Sequence, residues 1–197
     1  MMNRNIASFQ DYKYFVKGDL CRYLDGKPPR FRRFLRAYIT PGFRYTFWMR
    51  TCQWTKSCNH PILFVFARLM LWIYSVRFGI MIPYTTQIGP GLYIAHFSCI
   101  VVSPLAVLGR NVNLSQGVTI GQKISEGRFC APIIGDRVYV APGAKLIGKI
   151  SIGDAAAIGA NAVVVKDVPA KGVAVGVPAR VISDRGSSEY VGSFFEY

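Results

Sequence analysis

The chain has two histidines, His60 and His96, among its 197 residues. Imidazole has an ordinary pKa near neutrality, so it can accept and release a proton as a general base and acid. His60 lies in a Cys-Asn-His-Pro sequence with no catalytic partner beside it. His96 follows Ile94 and Ala95 in a strongly periodic stretch. A single histidine is most often structural, so the elements that position these two must decide which of them does chemistry.

Metal chemistry and disulfide bonding are both disfavoured by the residue types. A zinc centre of the carbonic anhydrase kind needs three histidine ligands, more than the chain supplies. The cysteines are odd in number and show no C-x-x-C spacing: Cys21, Cys52, Cys58, Cys99 and Cys130. This usage predicts reduced thiols in a cytosolic protein, with no metal site and no disulfide framework.

An apolar residue recurs every six positions between residues 88 and 168. These positions are Ile88, Ile94, Val102, Leu108, Leu114 and Ile120, with one two-residue slip near Ile100, and then Ile134, Val140, Leu146, Ile152, Ile158 and Val164. Small residues follow most of them, and the fourth position after each is small or apolar, Ser98 included. A period of six fits neither a helix nor an amphipathic strand and is typical of a parallel β-helix. Each hexapeptide should form one side of a triangular coil, with the periodic residue pointing inward.

The remaining segments divide the chain around this coil. Residues 1–82 read as a basic, aromatic α-helical region, broken at Gly26–Pro29, at Thr40–Gly42 and around Ser57–Pro61. Residues 83–182 form the predicted β-helix, and residues 183–197 form a C-terminal tail. Within the coil, the segment 122–132 breaks the period by eight residues and carries Lys123, Glu126 and Arg128. A polar excursion from a rigid solenoid is where function is expected.

Positive charge is concentrated in the N-terminal region. Residues 1–80 contain 14 Lys and Arg against three acids, whereas residues 81–197 contain 10 against seven. The run Lys27–Arg36 is interleaved with aromatic residues, which suits an anionic membrane surface or a phosphorylated substrate. A solvated helix face over an aromatic core is the simpler alternative. No known nucleic-acid-binding motif is present, so we expect no nucleic-acid partner.

The segment Pro61–Pro83 is apolar enough to suggest a membrane span. Arg68 and Arg77 interrupt it and would be costly at the centre of a bilayer, so a buried or partner-covered helix is the better prediction. The first residues, Met1–Asp11, are polar and lack a signal-peptide pattern. We therefore expect a cytoplasmic protein, peripheral to the inner face of the membrane if the basic region makes contact there.

Four segments carry a family resemblance: Gly89–Val102 (GPGLYIAHFSCIVV), Asn111–Gly121 (NVNLSQGVTIG), Ile134–Gly153 (IGDRVYVAPGAKLIGKISIG) and Ile158–Ile182 (IGANAVVVKDVPAKGVAVGVPARVI). They resemble the hexapeptide-repeat acyltransferases, in particular the serine acetyltransferase-like branch, and also the O-acetyltransferases of polysaccharide biosynthesis. The resemblance implies a mainly β fold, a left-handed parallel β-helix after the helical region. It also implies acetyl-CoA as co-substrate and a homotrimer whose three active sites lie between neighbouring subunits.

The resemblance also implies roles for individual residues. His96 stands where the family has its catalytic histidine, and Arg128 lies near the family's substrate-binding arginine. Positions matching the coenzyme A groove, or able to supply charge to its phosphates, are Gly121, Ala141, Lys145, Val164, Lys166, Lys171 and Arg180. Each of these lysines could equally be an ordinary surface residue.

Three departures from the family pattern concern the acceptor. An aspartate that orients the catalytic histidine is replaced by Met81, the acidic residue before that histidine by Ala95, and a serine-holding histidine by Ala131. These changes favour O-acetylation of a sugar or surface-polysaccharide precursor. Serine O-acetylation in cysteine biosynthesis is the alternative, and a non-catalytic β-helix scaffold is the alternative of another class.

Overall fold

The computed structural model describes residues 6–24, 30–125, 127–192 and 195. Within these ranges the N-terminal region contains the helices α1 (Phe9–Cys21), α2 (Phe31–Ile39), α3 (Pro41–Ser57) and α4 (Pro61–Phe78). Proline begins both α3 and α4, where its missing N–H and fixed φ cost nothing. The predicted breaks at Thr40–Gly42 and Ser57–Pro61 are therefore confirmed, whereas Gly26–Pro29 lies outside the described residues.

Short strands follow the helices directly. They are β1 (Ile80–Met81), β2 (Gln87–Ile88), β3 (Tyr93–Ile94), β4 (Ile100–Val102), β5 (Val107–Leu108), β6 (Asn113–Leu114), β7 (Thr119–Gly121), β8 (Lys123–Ser125), β9 (Arg128–Cys130), β10 (Ile133–Ile134), β11 (Tyr139–Val140), β12 (Lys145–Ile147), β13 (Ser151–Ile152), β14 (Ala157–Ile158), β15 (Val163–Val164), β16 (Val173–Gly176) and β17 (Ala179–Ser183). Since Ile80 pairs with Ile100, the first strand lies inside the segment 1–82 that the sequence assigns to helices.

Most strands belong to three parallel sheets that the chain visits in rotation. Face A contains β1, β4, β7, β12 and β15; face B contains β2, β5, β10 and β13; face C contains β3, β6, β11, β14 and β16, with β17 antiparallel at its end. Consecutive strands thus lie on successive faces, and each returns to its own face one coil later. The chain therefore winds as a three-sided coil of parallel strands.

The periodic apolar residues form the interior columns of this coil. On face C, for example, Ile94 pairs with Leu114, Leu114 with Val140, and Val140 with Ile158. All twelve predicted inward positions are buried. The stacked columns close one continuous core, which also includes Tyr45, Met49 and Leu71 from the helices. The inward orientation predicted from the period is confirmed.

Left-handed backbone conformations mark the corners of the coil. Gly117 and Gly143 occupy the corner between faces C and A with φ of 72° and 74°. The corresponding corner of the first coil is longer, and both Ser98 and Cys99 have positive φ. This enlargement is the two-residue slip seen in the sequence. It leaves Ser98 exposed.

The excursion leaves the coil at the corner between faces A and B. Strands β8 and β9 form an antiparallel hairpin in which Ile124 pairs with Phe129. At the other end of the chain, the tail folds back over face C: Tyr190 stacks on Tyr139 with ring centroids 4.7 Å apart, and the Phe195 N–H donates to Asn111 Oδ1 at 2.9 Å. Face C is therefore covered by the chain itself.

A buried ion pair fastens the helices to the first coil. Arg50 Nε lies 3.0 Å from Asp19 Oδ2, and the Arg50 guanidinium also donates to the carbonyls of Ile88 and Gly89 at 2.8 and 2.7 Å. Asp19 Oδ1 accepts the N–H groups of Gly91 and Leu92, both at 2.9 Å. Burial raises the pKa of Asp19, and Arg50 and these amides oppose the rise. Helices α1 and α3 are thereby held against the corner between faces B and C.

Helix α4 is more exposed to solvent than its sequence predicts. Among the described residues it is the one helix long and apolar enough to cross a membrane, and only 17% of that window is buried within the chain. The prediction of burial inside the protein is wrong, because α4 packs on α3 and β1 through one face only. Coverage by a partner stays a prediction.

Candidate active site

His96 lies on the enlarged corner between faces C and A, two residues after β3. Its side chain is exposed, and no hydrogen bond joins it to any residue in the described part of the chain. The imidazole can therefore reach a molecule bound outside the coil. An exposed base without an internal partner is free to take a proton from such a molecule.

The backbone just before His96 is held rigidly by the helices. The buried Tyr23 hydroxyl accepts the Ile94 N–H at 3.0 Å and donates to the Ile94 carbonyl at 3.2 Å. Burial raises the pKa of Tyr23 above the ordinary tyrosine value, so the phenol stays protonated and able to donate. A β-carbon on Gly42 would lie 2.2 Å from the Ile94 carbonyl oxygen, so α3 approaches this strand as closely as glycine allows.

The loop after His96 is supported by the end of α4. Gly79 ends that helix in a left-handed conformation, and its carbonyl accepts the Ile100 N–H at 3.1 Å. The rings of Phe97 and Phe78 lie 5.5 Å apart, and the Gly117 N–H donates to the Ser98 carbonyl at 3.0 Å. The enlarged corner is therefore held by both the helical region and the second coil.

Gln116 is a candidate site residue that the sequence reasoning missed. Because Ile94 pairs with Leu114, Gln116 holds on the second coil the position that His96 holds on the first. Its side-chain oxygen is buried and has no hydrogen-bond donor in the described part of the chain. Buried polar atoms are seldom left unpaired, so this oxygen is available to a ligand or to a neighbouring donor. Only the strand register reveals the relationship, since the two residues are far apart in sequence.

Three of the predicted coenzyme A residues lie together on face A. Gly121 pairs with Ile147 on β12, and Val164 pairs with Leu146 on the same strand. Lys145 begins that strand, and its ammonium donates to the Gly117 carbonyl and to Thr119 Oγ1 at 3.1 Å. Lys145 thus lies at the edge of face A nearest His96, and its ammonium group is hydrogen-bonded to the coil.

The other coenzyme A candidates are distributed over different corners. Lys166 is exposed on the corner between faces A and B, and Lys171 is exposed between faces B and C. Arg180 is exposed on β17. Ala141 follows β11 and is buried, and its N–H donates to the Ile158 carbonyl at 2.9 Å. One chain therefore does not gather these positions into a single cluster.

Arg128 and His96 occupy opposite edges of face A. His96 stands on the corner before this face, whereas the hairpin that carries Arg128 leaves at the corner after it. The Arg128 side chain is exposed. No hydrogen bond, ion pair or ring contact joins the two side chains within the described part of the chain.

The three positions that depart from the family pattern have uncharged side chains. Met81 is exposed on β1, Ala95 is exposed beside His96, and Ala131 is partly buried after β9. The coil aspartates serve other corners: Asp136 accepts the Arg110 N–H at 2.8 Å, and Asp167 accepts the Ser151 N–H at 2.8 Å. Among the described residues, no group of three metal-binding side chains occurs.

The chain is similar to curated serine acetyltransferases, although no family model matches it. It is 34% identical over 169 residues to the serine acetyltransferase of Mycobacterium tuberculosis, covering 85% of this chain and 72% of that protein. It is 37% identical over 148 residues to the serine acetyltransferase of Staphylococcus xylosus, covering 73% and 68% of the two chains.

Solved structures of serine acetyltransferases are also similar to this chain. A serine acetyltransferase from Brucella abortus in complex with coenzyme A superposes with a TM-score of 0.76 at 28% identity, covering 90% of this chain and 70% of the other. A serine acetyltransferase from Neisseria gonorrhoeae in complex with serine gives a TM-score of 0.73 at 31% identity, covering 89% and 71%.

Proposed function

Because the chain belongs to the serine acetyltransferase family of acetyl-CoA-dependent acyltransferases, we propose that it acetylates a hydroxyl group with His96 as the general base. His96 takes the acceptor proton as the hydroxyl oxygen attacks the acetyl carbonyl carbon. The tetrahedral intermediate then collapses, the carbon–sulfur bond breaks, and the proton passes to the departing coenzyme A thiolate. The exposure of His96 on the enlarged corner is the observation that carries this proposal.

We propose L-serine as the first acceptor to test. The similar proteins are named serine acetyltransferases, and one solved neighbour is a complex with serine. The sequence favoured a sugar hydroxyl instead, and the comparisons do not support that choice; they fit serine better.

A sugar hydroxyl is the second candidate acceptor, because the chain lacks ionisable side chains at three positions of the family pattern. Zwitterionic serine needs a partner for its amine, and Met81, Ala95 and Ala131 stand where the family has ionisable side chains. The Asp136 and Asp167 carboxylates accept hydrogen bonds in other parts of the fold. A neutral sugar would need only hydrogen-bond partners at these positions.

The active assembly is proposed to be a homotrimer of left-handed β-helices. The six-residue period and the rotation of strands over three faces support the β-helix. The separation of His96 and Arg128 across face A supports a site completed by a neighbouring copy. Gly121, Val164 and Lys166 would then line the coenzyme A groove along face A and its edge. The cysteines, all free, support a reducing, cytoplasmic environment.

The direct test measures thiol release from acetyl-CoA with L-serine or with a panel of sugars as acceptor. His96→Ala should lower kcat by about 10²–10⁴-fold, the usual contribution of a general base. His60→Ala is the matched control and should retain the wild-type rate, with both variants keeping the native mass in solution. Wild-type turnover in His96→Ala would eliminate the proposed base. Turnover with a sugar and none with serine would replace the proposed acceptor.

A further inference from the structure

A continuous apolar stripe runs along the outer side of α4. Its members are large, exposed and spaced by three or four residues, so they lie on one side of the helix: Ile62, Val65, Phe66, Leu69, Trp72, Ile73 and Val76. Ile62 is 87% exposed and Trp72 is 63% exposed. Soluble proteins seldom leave so extended an apolar surface in water unless it binds a partner.

The inner side of α4 is firmly attached to the protein. Ala67, Leu71 and Phe78 are buried, and Gly79 connects the helix directly to β1. The Arg68 guanidinium lies 5.0 Å from the centre of the Tyr84 ring. A bilayer-spanning orientation would have to separate this face from α3 and the coil. The outer stripe is therefore suited to lying along a surface.

Helix α2 adds a second apolar stripe beside α4. Phe31, Leu35 and Ile39 follow one another at four-residue intervals and are exposed. The Arg44 guanidinium lies over both the Tyr38 ring of α2, at 5.1 Å, and the Tyr74 ring of α4, at 5.5 Å. Helix α2 is thus adjacent to the C-terminal half of α4, and we call the two stripes with the α2 arginines the apolar–basic surface.

The charge on the apolar–basic surface has a single sign. Arg30, Arg32 and Arg36 are exposed, and none forms an ion pair within the described part of the chain. The acids described in the helical region, Asp11 and Asp19, are 5% and 1% exposed and so do not offset this charge at the surface. Docking of a second copy through this surface would bring like charges together. A nucleic acid would leave the apolar stripes in water.

An apolar groove of about 610 Å³ lies at the N-terminal end of the α4 stripe. Trp54, His60, Pro61, Ile62, Leu63 and Phe66 line it. The indole N–H of Trp54 is buried and has no acceptor in the described part of the chain. A largely apolar groove with an unused indole donor and the His60 ring in its wall matches a ligand that is mostly hydrocarbon and carries an oxygen acceptor, as a lipid does.

From these observations we propose that the apolar–basic surface docks on an anionic lipid bilayer. Helix α4 lies in the plane of the interface with its stripe among the acyl chains, and the α2 arginines contact the lipid headgroups. Amphipathic helices with a basic margin bind anionic membranes through these two contributions. This inference concerns binding alone, so it is independent of which acceptor the enzyme acetylates.

The test is co-sedimentation of the full chain with phosphatidylcholine vesicles, with and without phosphatidylglycerol. We expect binding to the vesicles that contain phosphatidylglycerol and weaker binding at high salt. Arg32→Glu/Arg36→Glu should weaken binding by about tenfold or more, because each basic residue near the membrane contributes measurably. Lys149→Glu/Arg185→Glu makes the same charge change on exposed residues elsewhere and should bind like the wild type.

Leu69→Glu tests the apolar contribution, with Ile182→Glu as a control on another exposed apolar residue. Leu69→Glu should abolish sedimentation, and Ile182→Glu should not change it. Absence of binding to either type of vesicle would overturn the proposal, as would equal binding by the variants and their controls. If vesicles do not bind but Leu69→Glu lowers the mass of the assembly in solution, the surface is an interface between copies of this chain and the lipid proposal fails.

Discussion

The three-sided coil and the helical region are stabilised in different ways. In the coil, the same short structural unit is repeated. Each unit has an inward apolar residue, a small neighbour and a tight corner, and neighbouring coils close the core. The helical region has no such repeat. It combines an aromatic cluster around Phe43 with a buried ion pair between Arg50 and Asp19.

The two regions also differ in what they present to solvent. The coil covers face C with its own tail and leaves His96 and face A accessible. The helical region presents exposed apolar side chains and arginines on α2 and α4. In the proposed function the coil provides the chemistry, while the helices orient its first corner and supply the proposed lipid-binding surface. Each of the following predictions tests one part of that division.

The largest effect on stability is expected where the two regions join. Asp19→Ala would leave the Arg50 guanidinium buried without its carboxylate and would remove the acceptor of the Gly91 and Leu92 amides. Breaking a buried pair in this way costs about 3–5 kcal/mol in the free energy of unfolding. Denaturant unfolding measures the loss. Asp19→Leu/Arg50→Met should recover only the part of the loss that comes from the unpaired guanidinium, because the Gly91 and Leu92 amides still lack an acceptor. A single-variant loss below about 1 kcal/mol would show that the pair does not join the regions.

A smaller loss is expected from Gly42→Ala. The new methyl group would meet the Ile94 carbonyl oxygen at 2.2 Å, so α3 or β3 must move. Overpacking of this kind costs about 1–3 kcal/mol, and the displacement should also lower kcat because His96 lies two residues beyond Ile94. Gly192→Ala is the control, since a β-carbon there meets no atom within 4 Å. Equal stability and activity in the two variants would mean that α3 does not position the corner.

Gln116→Leu should affect activity more than stability. If its buried oxygen accepts a hydrogen bond from the acceptor molecule, kcat should fall by about tenfold, the value of one net hydrogen bond. The KM for acetyl-CoA should stay constant. An unchanged kcat would limit Gln116 to packing.

The smallest effect is expected from Leu69→Gln on the outer side of α4. This residue is 51% exposed, so the free energy of unfolding should change by no more than about 0.5 kcal/mol. Leu114→Gln, an equal chemical change at a fully buried coil position, should destabilise the fold severely because it places an unpaired amide in the core. A large loss for Leu69→Gln in dilute solution would show that the stripe is covered within a stable assembly.

The coil was predictable because its pattern is local and repeated. A six-residue period fixes which residues face inward, and the twelve inward positions are buried as expected. The excursion was predictable for the same reason, because residues that interrupt a strict period must loop out of the coil. The helix breaks at Pro41 and Pro61 followed from proline's backbone restrictions.

The site was only partly predictable. His96 could be selected from its motif. Its exposure, and the hydrogen bonds between the Tyr23 hydroxyl and the Ile94 backbone, depend on packing between residues far apart in sequence. Gln116 could not be recognised, because its nearness to His96 arises from strand register. Lys145 was predicted as a residue able to supply charge to the coenzyme A phosphates, and only the structure shows that its ammonium also donates to the Gly117 carbonyl and to Thr119 Oγ1. Its role toward coenzyme A stays a prediction.

The sequence by itself determined the period of the coil, the ends of the helices, the concentration of positive charge and the family resemblance, because each of these is a property of neighbouring residues. Only the tertiary structure decided which side of α4 stays exposed, how the first corner is held, and which charges are paired. Those outcomes depend on contacts between α1, α3, α4 and the first coil, and an apolar helix has the same sequence pattern whether its second face meets protein, lipid or water.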